Sequence, residues 1–500
     1  MKLQAVWLTC ALALCACPAT TTTPDATVPF DAGTQFIKGK YVTRFVQNDG
    51  RVISIAGDLS AATVTVWLET DAGTFEQRSV LGDVNGNYVV PDVPQGPYVF
   101  QLGSIFIATD SRVVNLGDNV PGRPDVVVLN PNEGISLTAG NLAPWSKNDE
   151  LQLASWGAGI GYFSSALNSA ILRTHVPDAG DTSLSDLWID MEGWDAIEGT
   201  KGDDLRIFQL SGQVLDGGAV WKSATRSATV TTDLKLNLHT PVSTTFTTLD
   251  QQAVEVAFDT TSFEAARADV SPNAVTFENR WLLDAQLGGP GPNALTGSPD
   301  LAILELPADA GVIDLTLSYG NPFPAEWQPF VTVGTAFEVL YTAPATDGGT
   351  STARSEVGAI SRAIPLADAQ NGPIGPAITP VRNVMMDGVP ISQGLPTVAA
   401  APVITWDAPA LGTPTRVDIE CIVLTPGVPT GRLHQGTLHA VGTNRLRFPT
   451  GFLQPGAVQY LRITALSQPD GWDPTAPLRD VGPPSASAAT MTPMFMVTPL

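Results

Sequence analysis

The chain has 500 residues and a formal net charge of −23, and this length is enough for roughly three or four domains. A chain this acidic repels nucleic acids and anionic lipid surfaces, so both are disfavoured as partners. A hydrophobic fraction of 43% argues against disorder, and 46 Gly and 41 Pro with only 15% charged residues favour many short strands joined by turns.

The N-terminus has the pattern of an export signal. Lys2 is followed by an apolar run, Leu3 to Leu14, that is shorter than the about 20 residues a membrane helix needs. The run ends in Leu14-Cys15-Ala16-Cys17, which resembles the lipobox of bacterial lipoproteins. The resemblance implies that Cys17 receives a diacylglyceryl group, that residues 1–16 are removed and that the new amine is acylated. A plain cleaved signal peptide is the alternative.

The mature chain would then keep Cys17 and Cys421, because Cys10 and Cys15 leave with the signal. With Cys17 lipidated, no intrachain disulfide is possible. Pro18 follows the cysteine in place of an aspartate, which by the enteric-type sorting rule implies export to the outer membrane. Residues 17–35 are rich in Thr and Pro and predict an extended tether.

Residues 36–130 predict the first folded unit. Val64–Glu69 is a strand-like run, and Asn85-Gly86 predicts a tight hairpin turn. The pattern G-x-Y followed by V-P-x-G-x-Y-x-F, over 86–100, resembles the carboxypeptidase regulatory-like or prealbumin-like β-sandwich. Such modules are usually spacers or binding units, so the resemblance implies no catalytic residue.

Residues 131–400 predict a large β-rich region of one or two units, without resemblance to a known family. Val254–Asp259 alternates apolar and polar residues, as a strand with one buried face does. Ser262 to Asp269 predicts a short helix with Ser262 as its N-cap. Ala343 to Ala377 has the composition of an irregular segment.

An acidic segment from Asp178 to Asp204 holds nine carboxylates and a single lysine. Three interpretations stay open: a solvated acidic rim, a calcium site, and the carboxylate pair of a glycosidase, with the rim weighted most and the glycosidase least. The calcium candidates are the aspartates beside Gly180 and Gly202, which are Asp178, Asp181, Asp203 and Asp204.

Seven tryptophans lie in the same large region: Trp145, Trp156, Trp188, Trp194, Trp221, Trp281 and Trp327. Buried tryptophans anchor the core of a sandwich, and exposed ones can stack on sugar rings. Burial is the commoner outcome. Trp188 and Trp194 are the best candidates for exposure because they lie within the acidic segment.

Residues 401–500 predict the last domain. Trp406 lies in a strand-like run, and Leu453 to Ala465 reads L-x-P-G-x-x-x-Y-x-x-I-x-A. This pattern resembles a fibronectin type III domain, in which Tyr460 would be the tyrosine-corner residue that bonds to upstream backbone. Cys421 shares a strand face with apolar residues, which predicts a buried small hydrophobe.

The sequence contains no catalytic motif. The four histidines (His175, His239, His434 and His439) have no zinc-ligand spacing, and H-E-x-x-H, C-x-x-C and G-x-S-x-G are missing. We therefore predict no catalytic residue and no cofactor other than a possible calcium ion.

These features together predict an all-β protein of several β-sandwich domains in tandem, anchored by lipid in the outer membrane or at the cell surface. Its expected role is structural or binding: adhesion, scaffolding or glycan recognition, with an unknown protein or glycan ligand. The alternative is an exported hydrolase with its active site in residues 131–400 and accessory sandwiches on either side.

Overall fold

β-Strands dominate the structure, as the composition predicts. The computed structural model describes residues 35–130, 133–165, 177–234, 239–287, 299–343, 352–391, 395–424, 432–469, 471–479 and 482–499. The described residues form one compact unit within Gln35–Leu500. The signal peptide, the lipobox with Cys17 and almost all of the predicted tether lie outside the described residues. None of the described helices is long and apolar enough to cross a membrane.

The N-terminal region contributes nine strands: β1 (Phe36–Lys40), β2 (Val42–Val46), β3 (Val52–Ala56), β4 (Thr63–Glu69), β5 (Phe75–Leu81), β6 (Asn87–Pro91), β7 (Tyr98–Leu102), β8 (Ile105–Thr109) and β9 (Asn119–Pro121). Strands β1 and β6 pair, β2 lies between β3 and β9, and β4, β5, β7 and β8 belong to the largest sheet.

The middle region adds β10 (Gly134–Gly140), β11 (Glu150–Ser155), β12 (Ile160–Ser165), β13 (Ser183–Asp190), β14 (Asp204–Val214), β15 (Val220–Thr231), β16 (His239–Thr245), β17 (Thr247–Thr248), β18 (Gln251–Asp259), β19 (Val275–Leu287), β20 (Asp300–Leu306), β21 (Val312–Gly320), β22 (Trp327–Ala343) and β23 (Thr352–Pro365). Its short helices are α1 (Thr260–Glu264), α2 (Arg267–Val270) and α3 (Leu366–Ala369), with 3-10 turns at Gly199–Lys201 and Asp216–Gly218. Strands β13, β10 and β16 form one small sheet, and β18 pairs with β21.

The C-terminal region adds β24 (Arg382–Met386), β25 (Val389–Pro390), β26 (Thr397–Val398), β27 (Val403–Asp407), β28 (Arg416–Leu424), β29 (Arg432–Ala440), β30 (Arg445–Arg447), β31 (Val458–Ser467), β32 (Ser485–Met491) and β33 (Phe495–Val497). Strands β25, β24, β27 and β30 form a separate four-stranded sheet.

The largest sheet joins strands from all three regions. Strand β8 of the N-terminal region pairs in parallel with β29 of the C-terminal region, with Ile105 opposite Thr437. Strand β23 of the middle region pairs antiparallel with β32, with Ile360 opposite Ala488. Hydrogen-bonded ladders therefore cross both boundaries that the sequence suggests, near residues 130 and 400.

Three hydrophobic cores lie between the sheets. One consists of buried N-terminal residues, such as Val64 and Phe100, and Leu478 of the C-terminal region packs against it. A second lies between the small β13-β10-β16 sheet and its neighbours and includes Leu137 and Ile207. The third and largest contains residues of all three regions, among them Trp67, Trp281 and Trp406. The middle region thus contributes to two cores, and the all-β prediction with several sheets is confirmed.

Two local predictions are corrected. At Asn85-Gly86 only the glycine has a positive φ, of 76°. The Asp83 carboxylate accepts the backbone N–H groups of Asn85 (2.9 Å) and Asn87 (2.8 Å) and so stabilises a wider turn. The strands on either side do not form a hairpin, because β5 pairs with β4 and β6 pairs with β1.

The predicted helix at Ser262 begins two residues earlier. Its N-cap is Asp259, which accepts from the backbone N–H of Thr261 at 3.1 Å. The segment predicted to be irregular contains β23, a strand of 14 residues. Its inward face carries Arg354 and Glu356, both buried, so the strand lacks the apolar alternation by which strands are recognised.

A buried carboxyl pair lies within the largest sheet. Asp284 on β19 is opposite Asp300 on β20, where the register shifts by one residue. The Gln152 side chain donates to Asp300 Oδ2 at 2.7 Å and accepts the Asp300 backbone N–H at 3.1 Å. Burial, followed by the charge of Asp300 and the hydrogen bond with it, raises the pKa of Asp284 well above its usual range. Burial raises the pKa of Asp300 as well, so the two carboxyl groups hold one shared proton, which Asp284 donates to Asp300.

We predict that Asp284 makes stability fall as the pH rises. A carboxyl group whose folded-state pKa is raised favours the folded state most below the unfolded pKa of about 3.9. This contribution is lost as the pH passes the folded value. Asp284→Asn removes the ionisation and keeps a donor towards Asp300. The urea concentration at the unfolding midpoint of the wild type should decrease as the pH is raised from about 4.5 to about 8, which lies above the unfolded pKa. The variant should show a smaller decrease.

The control is Asp314→Asn at an exposed position on β21, which should follow the wild-type curve. Asp195, whose pKa burial raises to about 6, titrates in the same direction, so some slope should remain in the Asp284 variant. Identical pH profiles for wild type and Asp284→Asn would contradict the shared proton.

Candidate binding cleft

A cleft of about 360 Å³ opens where the turn between β2 and β3 meets the middle region. Asn48 and Asp49 come from that turn, and the start of β14 and the end of β19 supply further residues. The lining consists of Asn48, Asp49, Trp156, Gly157, Asp204, Arg206, Leu287, Pro324, Glu326 and Trp327. Ligand pockets in proteins typically measure about 300–1,000 Å³, so the cleft can take a small ligand or one end of a larger one.

The aromatic part of the lining is a packed cluster. Trp156 and Trp327 meet edge to face, with ring centroids 4.7 Å apart, and Phe323 stacks on Trp327 at 4.7 Å. The Trp156 indole N–H donates to the Val46 carbonyl at 3.0 Å, which ties the cluster to the end of β2. Both tryptophans are buried, so they present only part of their surface to the cleft.

Arg206 lies over this cluster. Its Cζ atom is 5.6 Å from the Phe323 centroid and 5.9 Å from that of Trp327, which is cation–π distance. Burial lowers the pKa of Arg206, and the negative charge of Asp204 opposes that effect. The guanidinium stays charged because an arginine pKa is far above neutral. Within the described part of the chain, Arg206 forms no ion pair.

The other charged groups of the cleft are the carboxylates of Asp49, Asp204 and Glu326. Asp49 pairs with exposed Arg51 at 2.5 Å, and Asp204 accepts from the Thr231 hydroxyl at 3.4 Å. The Asn48 amide donates to the Gly202 carbonyl at 3.4 Å. The rim thus combines several acceptors with two side-chain donors, the Asn48 amide and Arg206.

A buried ion-pair cluster lies directly behind this wall. Arg123 follows β9 and is only 7% exposed. Its guanidinium donates to Asp203 Oδ2 at 3.1 Å and to Glu198 at 2.8 Å, and it pairs with Asp125 at 2.8 Å. Hydrogen bonds from Lys201 and then Arg123 lower the pKa of Asp125 to about 2. A Cβ atom on Gly157 would lie 2.5 Å from Asp203 Oδ1, so only glycine fits there.

The structure separates the four calcium candidates. Asp178 and Asp181 form one turn, in which the Asp178 backbone N–H donates to the Asp181 carboxylate at 2.8 Å. Asp203 is bound to Arg123, while its neighbour Asp204 points into the cleft. Throughout the ranges that the structure describes, no three His, Cys, Asp or Glu side chains are arranged to hold a metal ion. The calcium hypothesis therefore finds no assembled site among these residues.

Tryptophan burial follows the commoner interpretation. Trp145, Trp156, Trp221, Trp281 and Trp327 are buried. Trp188 and Trp194, the candidates for exposure, are half-buried, and Trp188 packs against His239 at a centroid distance of 3.9 Å. Sequence reasoning missed Arg206 and did not single out Trp156 or Trp327. The sequence did contain one local signal, the pair Asp203-Asp204. Adjacent residues of an extended chain face opposite sides, so one aspartate faces inward when the other faces the cleft.

Trp406, Cys421 and Tyr460 are all buried, but Tyr460 lacks the hydrogen bond that the sequence predicts. Trp406 is buried in the largest core, and Cys421 is a buried free thiol beside Gln459, as expected. Tyr460 is fully buried and stacks on Tyr341, with centroids 4.4 Å apart. The Tyr460 hydroxyl makes no hydrogen bond to the backbone, so the predicted tyrosine-corner hydrogen bond is not formed.

One C-terminal histidine, His439 on β29, contacts a carboxylate. His439 Nδ1 lies 2.7 Å from Asp418 Oδ1, and the same carboxylate is paired with Arg416 at 2.8 Å. The charges of His439 and Arg416 lower the pKa of Asp418 although burial opposes them. Arg416 also donates to the Pro477 carbonyl, so this group fixes a C-terminal loop to the sheet.

Comparison with known proteins adds little. No family model matches the chain, and no curated protein matches it. Among solved structures, the chain is similar to native alpha-2-macroglobulin of E. coli, at 10% identity over 93% of this chain and 28% of that chain, with a TM-score of 0.12. It is also similar to a tetra-tandem repeat in the extending region of a large adhesion protein, at 10% identity over 90% of this chain and 99% of that chain, with a TM-score of 0.11. At these TM-scores neither likeness carries an argument.

We predict that Arg123 is essential to the stability of the cleft wall. Removing one partner of a buried ion pair typically costs about 3–5 kcal/mol, because the other charge is left buried. Arg123→Met should therefore lower the unfolding free energy by about 3 kcal/mol. This value is at the low end of the range because Asp203 still accepts a hydrogen bond from the Glu198 backbone N–H at 2.9 Å. Urea unfolding measures this change.

The matched control is Arg78→Met on β5, whose partner Glu76 is exposed. An exposed pair contributes about 0–1 kcal/mol, so this variant should remain close to wild type. Equal effects of the two substitutions would show that the Arg123 cluster is no more important than a surface pair.

Proposed function

We propose that this chain is a lipid-anchored protein of the outer membrane or cell surface with a structural or binding role, and that it binds its ligand in the cleft. The observation that carries the proposal is the cleft itself, with an aromatic floor, three carboxylates and an arginine that forms no ion pair among the described residues. A ligand site usually combines an apolar floor with a small number of accurately placed polar groups.

The anchor in this proposal is Cys17. Its support is the lipobox resemblance of Leu14-Cys15-Ala16-Cys17 after a short apolar run. Two or more acyl chains hold a protein stably on a bilayer, whereas one chain is marginal. The Thr/Pro-rich residues 17–35 would keep the folded unit at a distance from the lipid surface.

Binding is favoured over catalysis by how the described polar groups are used. The carboxylates of the Arg123 cluster and the Asp418–His439 contact are engaged in structural pairs. The Asp284–Asp300 pair is buried in the sheet, and neither residue lines the cleft. We therefore propose adhesion or scaffolding as the role, with the β2–β3 turn of the N-terminal region as part of the ligand site.

The function is tested with cells that display the full-length protein. Saturable attachment of these cells to immobilised glycans or proteins, without turnover of glycan and peptide substrates, is the expected result. Hydrolysis of any substrate in the panel would favour the exported hydrolase. If the cells showed no attachment and no turnover, the proposed function would be contradicted.

We predict that Cys17→Ala abolishes fatty-acid labelling, because the thiol is the attachment point of the first lipid. Palmitate labelling and the mass of the mature N-terminus measure this. Cys15→Ala is the control and should leave both labelling and cleavage unchanged. Labelling that persists in Cys17→Ala would refute the anchor without bearing on the cleft.

A further inference from the structure

We propose that the cleft binds an uncharged, polyhydroxylated ligand, the end or branch of a neutral glycan, and that Arg206 is the hydrogen-bond donor that sets this specificity. The inference rests on the proposed function and names the ligand class of the same cleft.

The lining of the cleft mixes hydrogen-bond donors and acceptors. Asp49, Asp204 and Glu326 offer only acceptor oxygens, whereas Arg206 offers only donors. A sugar hydroxyl donates one hydrogen bond and accepts others, so neighbouring hydroxyls can satisfy both kinds of group at once. A ligand without such dual groups would satisfy only one of the two kinds of group, although Asp49 and Asp204 also keep their contacts with Arg51 and Thr231.

The charges argue against the two ionic ligand classes. An anionic ligand would meet the carboxylates of half-buried Asp204 and exposed Glu326, while the charge of exposed Asp49 is balanced by Arg51. Like charges a few ångströms apart repel, most strongly where a group is partly withdrawn from water, as Asp204 is. A basic side chain would be attracted by that rim. The ring faces that could receive it by a cation–π contact are, however, already covered by Arg206, at 5.6 and 5.9 Å. An uncharged ligand avoids both conflicts.

The floor supplies the apolar half of the recognition. Leu287 and Pro324 line the cleft together with Trp156 and Trp327. Sugar rings carry C–H groups on their faces, and these pack on apolar and aromatic surfaces while the hydroxyls point to the rim. The cleft volume of about 360 Å³ lies at the lower end of the range for ligand sites, which fits a short glycan segment.

Arg206 is available to a ligand in a way that the neighbouring cations are not. Lys201 pairs with Asp125 at 2.8 Å and with Glu198 at 3.1 Å. Arg123 is bound to three carboxylates. Arg206 is held instead by its stack on Phe323 and Trp327. A side chain fixed in this way loses little conformational entropy when it donates to a ligand.

The test uses purified full-length protein on an array of neutral, acidic and amino-bearing oligosaccharides together with basic and acidic peptides. Calorimetry of the hits is then run on Arg206→Met, Arg206→Lys and Asp204→Asn. The controls are Arg78→Met and Asp216→Asn, which remove the same groups at positions outside the cleft. Thermal melts exclude variants that fail to fold.

Neutral oligosaccharides should bind, with an affinity that changes little between low and high salt. Losing a hydrogen bond to a charged group typically weakens binding about 10-fold or more, and we expect that loss in Arg206→Met and Asp204→Asn. Arg206→Lys should recover part of the affinity, and both controls should stay within about twofold, as for surface positions.

Each contrary result has a distinct meaning. Binding of basic peptides alone, with strong salt dependence and a loss in Asp204→Asn but none in Arg206→Met, would overturn the glycan assignment and leave the binding function intact. Glycan binding that Arg206→Met and Asp204→Asn do not change would place the site elsewhere and overturn this inference. No ligand on the array together with no attachment of displaying cells would remove the proposed function itself.

Discussion

The pairing of Arg123 with Asp203 is the constraint on which the cleft depends. Asp203 is 1% exposed, and a carboxylate so deeply buried must be paired or it shifts the balance towards unfolding. Arg123 comes from the N-terminal region and Asp203 from the residue before β14, so their contact fixes the two regions to each other. Asp204 and Arg206 follow within three residues, and their positions in the cleft are a consequence of that fixed point.

Shared strands extend the same connection to the C-terminal region. The parallel pairing of β8 with β29 is made of main-chain hydrogen bonds, and it buries two edges that would otherwise be open to association. Glu69 on β4 adds contacts to Arg447 at 2.9 Å and Arg445 at 3.5 Å. These pairings hold the N-terminal region against the C-terminal region, and the hydrogen bonds from Trp156 to Val46 and from Asn48 to Gly202 connect the β2–β3 turn to the middle region.

The sequence predicted strands well where one face is apolar, as in Val254–Asp259 and Cys421 with its neighbours. It failed where polar side chains face inward: β23 was hidden by Arg354 and Glu356, and the position of α1 depended on the Asp259 carboxylate. The cleft could not be predicted in the same way. Its residues lie in segments near 48, 156, 206, 287 and 326, and no periodicity within a segment reports a contact between distant ones.

The net charge of the chain and the charge inside the cleft act over different distances. A net charge of −23 repels anions from the whole surface, but at physiological salt this field decays over about 8 Å. Within the cleft, Arg206 and Asp204 are half-buried, so the field between them is screened less than the field of exposed Asp49 and Glu326. An uncharged ligand gains nothing from the outer field and loses nothing to it, so its affinity depends only on the groups in contact. For that reason the geometry of a few side chains, more than the overall acidity, decides what this protein can hold.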